Sequence, residues 1–502
     1  MGAPQGSMPQ TPSDPKFGMN PQATNEMLHE MSDDFRVEPD VMLALAQKAA
    51  ELVVERTVRL PLENSWDGEF RQGLENRLKE DPPEDGRPAE DVLQRAAEDI
   101  LSFAARLDHP RFFGFIPSSP LWPAVLAEFM SSGYNINQCT WLVASGPSQC
   151  ELVVVDWIRQ WLGYPEKAGG LFTSGGSAAS LEALVAAREA AGYPERATIY
   201  MSDQSHGSLI RAARISGIRA ECIRIIESNE SFRMDVEALK RAVEVDRANG
   251  FNPIAVVATA GTGSTGTIDP MDAMADFCES ENIWLHVDAA YGGFAVITEE
   301  GKELLHGIHR ADSIGMDAHK WFFQPYEAGC LMVKDVSTLE NVFAMRNDIL
   351  QDTIWGKAHP NFADRGMQLS RAARSLKVWM SIQTFGMGAF RRAVLRGMQL
   401  AMRAEQYCRQ STILEPLNPA SLGIVCFRVN PANVELDENA LEKINSAVLA
   451  HIFWEDRAFV SSTLLRKTFA LRFCILNHNT TWNDVRETLE AIERFGISEL
   501  PK

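Results

Sequence analysis

Through the middle of the chain, short β-branched or aromatic runs that end in small residues alternate with helices of ordinary length. AVVATAG (255–261) and IWLHVDAA (283–290) are such runs, and Ser313 to Met316 is another. SLEALVAAREA (180–190) and DVEALKRAVEVDRA (235–248) have the helical period. Strands that alternate with helices of this length build parallel βαβ units, because a parallel neighbour is reached only by a long crossover. The expectation is therefore an α/β domain with a largely parallel sheet. Its ligand should lie at the carboxyl ends of the strands.

The flanks differ. Residues 1–25 are rich in Pro, Gly, Gln, Ser and Met and read as a disordered tail. Residues 38–56 form a predicted helix with Val41, Leu43, Leu45, Ala46, Ala49, Leu52 and Val53 largely on one side and Pro39 near its start. After a polar stretch (81–88), AEDVLQRAAEDILSFAARL (89–107) is a second predicted helix, ending before His109-Pro110. From about 391 a long helix precedes IVCFRVN (424–430), a helix near 437–453 and the strand-like FALRFCIL (469–476). The expected organisation is a tail (1–25), an N-terminal helical segment (26–108), a large α/β domain (109–390) and a small α+β domain (391–502).

Composition narrows the partners. With 48 Lys plus Arg against 67 Asp plus Glu, the formal charge is −19. That argues against a nucleic acid or an anionic membrane as partner. The 45% apolar and 23% charged residues are those of an ordinary globular protein. No stretch approaches the ~20 apolar residues of a membrane span. No apolar core of a secretory signal is found near Met1. The eight cysteines include no CxxC, and no His cluster has zinc-ligand spacing, so free thiols in the cytoplasm are expected and no metal.

Three segments carry chemistry. In LFTSGGSAASLEALVAAREA (171–190), Ser174-Gly175-Gly176-Ser177 opens a helix. Glycines admit close approach of an anion, and the helix N-terminus favours a phosphate. Alone, the same pattern also fits a Gly-Ser turn capping a helix. In IWLHVDAAYGG (283–293), Asp288 ends an apolar strand. A carboxylate there suits a protonated ring nitrogen. At about 4 Å and an effective dielectric of about 20, such a pair is worth roughly 4 kcal/mol, about three pKa units. A turn-capping Asp is the plainer alternative. In ADSIGMDAHKWFF (311–323), Lys320 precedes Trp321-Phe322-Phe323, and desolvation there should depress its pKa and free its amine as a nucleophile.

SDQSHGS (202–208), HVDAAYGG (286–293) and DAHKW (317–321) together resemble the group II pyridoxal-phosphate (PLP) decarboxylases, most of all those acting on aromatic L-amino acids. HPRFFGFIPSS (109–119), RSLKVW (374–379) and FALRFCILNHNTTWNDV (469–485) extend the resemblance over nearly the whole chain after residue 30. It implies the aspartate-aminotransferase-like fold, type I, with pyridoxal 5′-phosphate as cofactor. It also implies a homodimer with the site at its interface, the N-terminal helices packing across it. Lys320 would carry the Schiff base, Asp288 would pair with the ring nitrogen, and His206 would stack on the ring. Gly176 and Ser177 would hold the phosphate with His319 nearby, and Thr262 and Ala290 would line the ring. The substrate would meet Phe115, Ile116, Pro117 and Ser118.

The implied reaction is decarboxylation of an aromatic L-amino acid to its amine. Tryptophan, tyrosine and DOPA remain open as substrates. In the resembling enzymes a loop Tyr assists protonation of Cα. Here FAMRNDILQDTIWG (343–356) occupies that stretch, with Ile349 at the Tyr position. Tyr326, in a strand-like segment after Lys320, is the only Tyr between Lys320 and Arg371. His359 and Trp355 are then the nearby polar candidates. Ile349 also motivates an alternative, oxidative decarboxylation–deamination to an aldehyde. A non-catalytic PLP-binding subunit is a third reading, opposed by the retention of Lys320, Asp288 and His206.

Overall fold

The computed structural model describes residues 35–344 and 359–501. The described residues fall into two compact units: 35–59 with 69–103, and 60–68 with 104–501.

The first unit is helical. Its helix Pro39–Arg59 forms as the periodicity predicts but buries no residue, leaving Val41, Leu43, Val53 and Val58 exposed. The predicted helix 89–107 is shorter than expected: it spans Ala89–Asp99 and gives way to a 3₁₀ turn at Leu101–Phe103. Ile100 leaves helical geometry (φ −122°, ψ −62°). Ser102 Oγ then donates to the Glu98 carbonyl at 2.5 Å, taking the acceptor that its own backbone amide would use in a continuing helix.

The second unit carries two sheets. The larger contains β1 (Gly169–Thr173), β2 (Ala197–Ser202), β3 (Ile223–Ile226), β4 (Asn252–Thr259), β5 (Trp284–Asp288), β6 (Ser313–Asp317) and β7 (Gly329–Val333). Their order is β1-β7-β6-β5-β4-β2-β3. Strands β2 to β6 pair in parallel, and β7 runs antiparallel between β1 and β6. Every residue of β1, β2, β6 and β7 is buried. Continuous apolar runs, rather than alternating ones, are what a sheet covered on both faces requires. This is the type I α/β architecture. Helix Val236–Ala248 begins where Asp235 caps it, its carboxylate accepting from the Glu237 and Ala238 amides.

The smaller sheet is antiparallel, in the order β10 (Ser461–Leu465), β11 (Thr468–Cys474), β9 (Ile424–Val429), β8 (Leu414–Pro416). Helices Glu438–Glu455 and Trp482–Ser498 share its core. The long helix expected from about 391 begins earlier, at Arg374, and is broken at Gly386, which takes φ 67° and ψ 155°.

Two buried ionic groups steady the strand that leads to the site. Arg371 Nη2 lies 2.8 Å from Glu151 Oε1 and donates to the Phe172 carbonyl at 2.7 Å. The Phe172 amide donates to the same carboxylate at 2.8 Å. Strand β1 is thereby clamped one residue before Thr173. The eight cysteines are unpaired. Among the described residues no helix is long and apolar enough to cross a membrane.

Candidate active site

The strand ends assemble the site. In register, Thr259 at the end of β4 sits beside Asp288 at the end of β5, which pairs with Gly315 of β6. Asp317 closes β6, and the short helix Ala318–Trp321 follows at once. A cavity of about 580 Å³ lies over these ends. Asp288, Lys320, His206, Gly176, Ser177, Ala290, His319, Phe115 and Ile116 all line it, as do Thr259, Asp317 and Tyr326.

Lys320 Nζ donates to Asp317 Oδ2 at 2.9 Å. Burial pulls the ammonium's pKa down, but Asp317, with Asp288 beyond it, outweighs burial and holds it above the ordinary lysine value. This corrects the expectation of a depressed pKa: the aromatic neighbours desolvate the amine, but a carboxylate three residues back compensates it. Burial raises the Asp288 carboxyl, with Lys320 opposing. The Ala290 amide donates to Asp288 Oδ1 at 3.1 Å.

The glycine run opens a helix beside the cavity, as its sequence suggests. Gly175 caps helix Gly176–Ala190 at φ 153°, ψ 175°, a region that only glycine adopts readily. A Cβ on Gly176 would lie 2.9 Å from Ala290 Cβ and 3.2 Å from Asp317 Oδ2. The Ala178 and Ala179 amides bond the Gly175 carbonyl. The Gly176 and Ser177 amides have no hydrogen-bond acceptor among the described residues, so the helix presents free donors to the cavity.

His206 caps helix Gly207–Ile215. Its Nδ1 accepts from the Ser208 amide at 3.3 Å and lies 2.7 Å from Ser208 Oγ. A neutral ring held this way carries its proton on Nε2. His319 Nδ1 accepts from the Ala328 amide at 3.1 Å, and burial lowers its pKa against the pull of Asp317.

Three of the expected contacts fall elsewhere. Thr262 is turned away: its hydroxyl lies 2.8 Å from Thr265 Oγ1 and accepts from the Thr265 and Thr267 amides within its own loop. Thr259, three residues earlier, lines the cavity instead. Pro117 and Ser118 are buried and do not line the cavity, whereas Phe115 and Ile116 do. Phe115 takes φ 49°, and its carbonyl accepts from Arg472 Nη1 at 2.7 Å. Arg472 and Asp317 were not singled out from the sequence. Asp317 obeys the same strand-end rule that marked Asp288, and that signal would have found it. Tyr326 lies in the loop before β7, not in the strand. His359 stacks on Trp141 (centroids 4.7 Å apart, 14° between planes) and does not line the cavity. Ile349 and Trp355 lie outside the described residues.

These groups fit a phosphorylated pyridine aldehyde. Thr259 Oγ1 and Asp317 Oδ1 are buried without a hydrogen-bond partner although both residues line the cavity. Orphaned polar atoms of this kind mark a place for a polar ligand. Free helix amides suit a phosphate, a buried carboxylate at a strand end suits a ring nitrogen, and a buried amine suits an aldehyde. Among the described residues no cluster suited to a metal ion is found.

Comparison with known proteins agrees. The chain is 35% identical over 472 residues to an aromatic-L-amino-acid decarboxylase of Bacillus atrophaeus, covering 93% of this chain and 98% of the other. It is 29% identical to a phenylacetaldehyde synthase of Petunia hybrida, covering 80% and 83%. The crystal structure of Oryza sativa TDC with PLP and tryptamine superposes with a TM-score of 0.88 at 25% identity, covering 93% of this chain and 99% of that one. The pyridoxal-dependent decarboxylase conserved domain matches residues 72–430. With that match spanning most of its length and the cavity built as described, the chain belongs to the pyridoxal-dependent decarboxylases, carboxy-lyases that work through pyridoxal phosphate.

Proposed function

We propose that the enzyme converts an aromatic L-amino acid to its amine and CO₂. The observation that carries this is the makeup of the cavity wall. Phe115 and Ile116 present apolar surface, and Lys320 is the only lysine or arginine among the described lining residues. Its charge is taken by Asp317. Glutamate's side chain would face Glu327 and Asp317 without a cation, at a cost of several kcal/mol. An indole or phenol ring instead buries some 150–250 Å² against an apolar wall. The names of the similar proteins point the same way.

Lys320 would hold the cofactor covalently, the Gly176 and Ser177 amides its phosphate, and Asp288 its ring nitrogen. When bound, pyridoxal phosphate supplies the electron sink that makes loss of CO₂ possible. Asp288 keeps a positive charge on the ring nitrogen, which deepens that sink. His206, with its proton on Nε2, covers the cavity from the helix side and can hold or pass a proton there. Phe115 and Ile116 orient the side chain and keep water from one wall. The sequence reading of Thr262 as a cofactor contact passes to Thr259.

Formation of an aldehyde is the second reading. It rests on Ile349 at the loop position and on likeness to a phenylacetaldehyde synthase. Incubation of the purified protein with tryptophan, tyrosine, DOPA and glutamate, reading CO₂, amine, ammonia and peroxide, separates the readings. Amine equal to CO₂ from an aromatic acid is expected. Faster consumption of glutamate than of every aromatic acid would overturn the substrate assignment. One peroxide or more for every two CO₂ would make the aldehyde the main product.

The active form we infer is a homodimer. Helix Pro39–Arg59 buries nothing, and in the other unit Phe129, Tyr134, Leu142 and Val143 are exposed. Apolar area of this extent fits a second copy of the chain. A monomer in sedimentation at micromolar concentration would contradict it. Eight unpaired cysteines fit a reducing compartment such as the cytoplasm.

A further inference from the structure

We propose that the hydroxyl of Tyr326 delivers the proton that the substrate's α-carbon takes up once CO₂ has left. The inference rests on the decarboxylase reading above and assigns a step within it.

Tyr326 lines the same cavity as Lys320, Asp288 and His206. Its ring packs on His319, the neighbour of Lys320 (centroids 4.7 Å apart, 39° between planes). The loop that carries it is pinned on both sides. Lys377, a buried lysine, donates to the Pro325 carbonyl at 3.0 Å and to the Glu327 carbonyl at 2.8 Å. Arg374 Nη2 meets Glu327 Oε1 at 2.7 Å. His319 is itself fixed by the Ala328 amide. A side chain so held has little orientational freedom left to lose, which is what a proton donor to carbon needs.

The hydroxyl is available. Among the described residues it has no hydrogen-bond partner, whereas the other lining tyrosine, Tyr291, is committed. Its hydroxyl accepts from the Gly423 amide at 2.8 Å, and its ring stacks on Trp321 in the core. The other proton holders are less suited. Lys320's amine is tied to Asp317, and His206 Nδ1 is occupied by the amide and hydroxyl of Ser208. Burial lifts the Tyr326 phenol while the Lys320 ammonium draws it down, so it keeps its proton at neutral pH and feels the charge at the reacting end.

The step balances. The bond from Cα to the carboxylate breaks and CO₂ leaves. The electron pair that returns to Cα takes the phenolic proton, and the phenolate recovers a proton from water. Tyr326 is 57% exposed, so water reaches it.

The test is Tyr326→Phe. With the aromatic acid that the parent turns over best, kcat is expected to fall at least tenfold with KM within about threefold. Amine formed per CO₂ should fall in air, as dioxygen oxidises the unprotonated carbon to aldehyde, ammonia and peroxide. A second readout needs no turnover. In the cofactor-free protein, the ultraviolet difference titration between parent and Tyr326→Phe isolates one phenol. That phenol should titrate at higher pH when Lys320→Ala is introduced into both. A kcat and an amine yield within twofold of the parent would overturn the proposal, as would a phenol indifferent to Lys320→Ala. A parent that releases no CO₂ from any aromatic acid would overturn the substrate reading instead.

Discussion

Lys320 Nζ sits 2.9 Å from Asp317 Oδ2, across three residues that link the end of β6 to the turn after it. The pair places an ammonium and its counterion at the floor of the cavity. Only the neutral amine attacks an aldehyde, and Asp317 keeps the amine protonated. Loading of cofactor-free protein with pyridoxal phosphate should therefore accelerate as pH rises from neutral. Asp317→Asn removes the group that raises the lysine pKa and leaves burial, which lowers it. The loading profile should then move to lower pH in stopped-flow absorbance. A profile that stays in place would mean that Asp317 does not control the Lys320 proton.

Asp288 is the carboxylate we assign to the ring nitrogen. Asp288→Asn should leave the fold intact and lower kcat by roughly two to three orders of magnitude, since the ring nitrogen loses about 4 kcal/mol of pairing. Steady-state kinetics at saturating cofactor reads this. Turnover within a factor of two of the parent would reduce Asp288 to a turn residue.

Gly176 has no room for a side chain. A Cβ would lie 2.9 Å from Ala290 Cβ at the head of the helix that offers its free amides. Gly176→Ala should weaken pyridoxal phosphate binding at least tenfold, measured by cofactor titration, while the far-ultraviolet spectrum stays that of the parent. Unchanged affinity would move the phosphate site elsewhere.

Much of this was legible in the sequence, for a physical reason. Strand ends and helix starts are local events, so the strand ending at Asp288 and the helix opening at the Gly175-Gly176 turn could be placed from periodicity and turn residues, whereas the role of Lys320 came with the family resemblance. Side-chain direction in a loop is not local. Thr262 and Thr259 lie three residues apart, and the hydroxyl cluster of Thr262, Thr265 and Thr267 decides which one faces the cavity. Lys320 shows the same limit: aromatic neighbours announce desolvation, but the raised pKa comes from Asp317 on the preceding strand. The helix ends early at Asp99, where Ile100 leaves helical geometry and the Ser102 hydroxyl takes the Glu98 carbonyl, details that no period reveals.

Glu182 lies on helix Gly176–Ala190, where its Oε1 accepts from the Met367 amide at 3.0 Å and its Oε2 has no partner. Burial pushes its carboxyl up to about 7, with the Met367 amide opposing. The folded chain then binds this proton more tightly than the unfolded chain, where a glutamate titrates at about 4.3. Stability is fully present below that value and is lost as pH rises through 7. Glu182→Gln removes the linkage. Urea denaturation should show the variant gaining on the parent between pH 5 and pH 8, by on the order of 3 kcal/mol. A constant difference across that range would contradict the buried, proton-linked carboxyl.

The central claim is that this chain works through pyridoxal phosphate held at Lys320. Borohydride reduction of the holoenzyme, digestion and mass mapping test it most directly. One pyridoxyl group per chain is expected, on the peptide containing Lys320, and Lys320→Ala should carry none and release no CO₂. A label on another lysine, such as the buried Lys377, or a Lys320→Ala variant that still decarboxylates, would contradict the account.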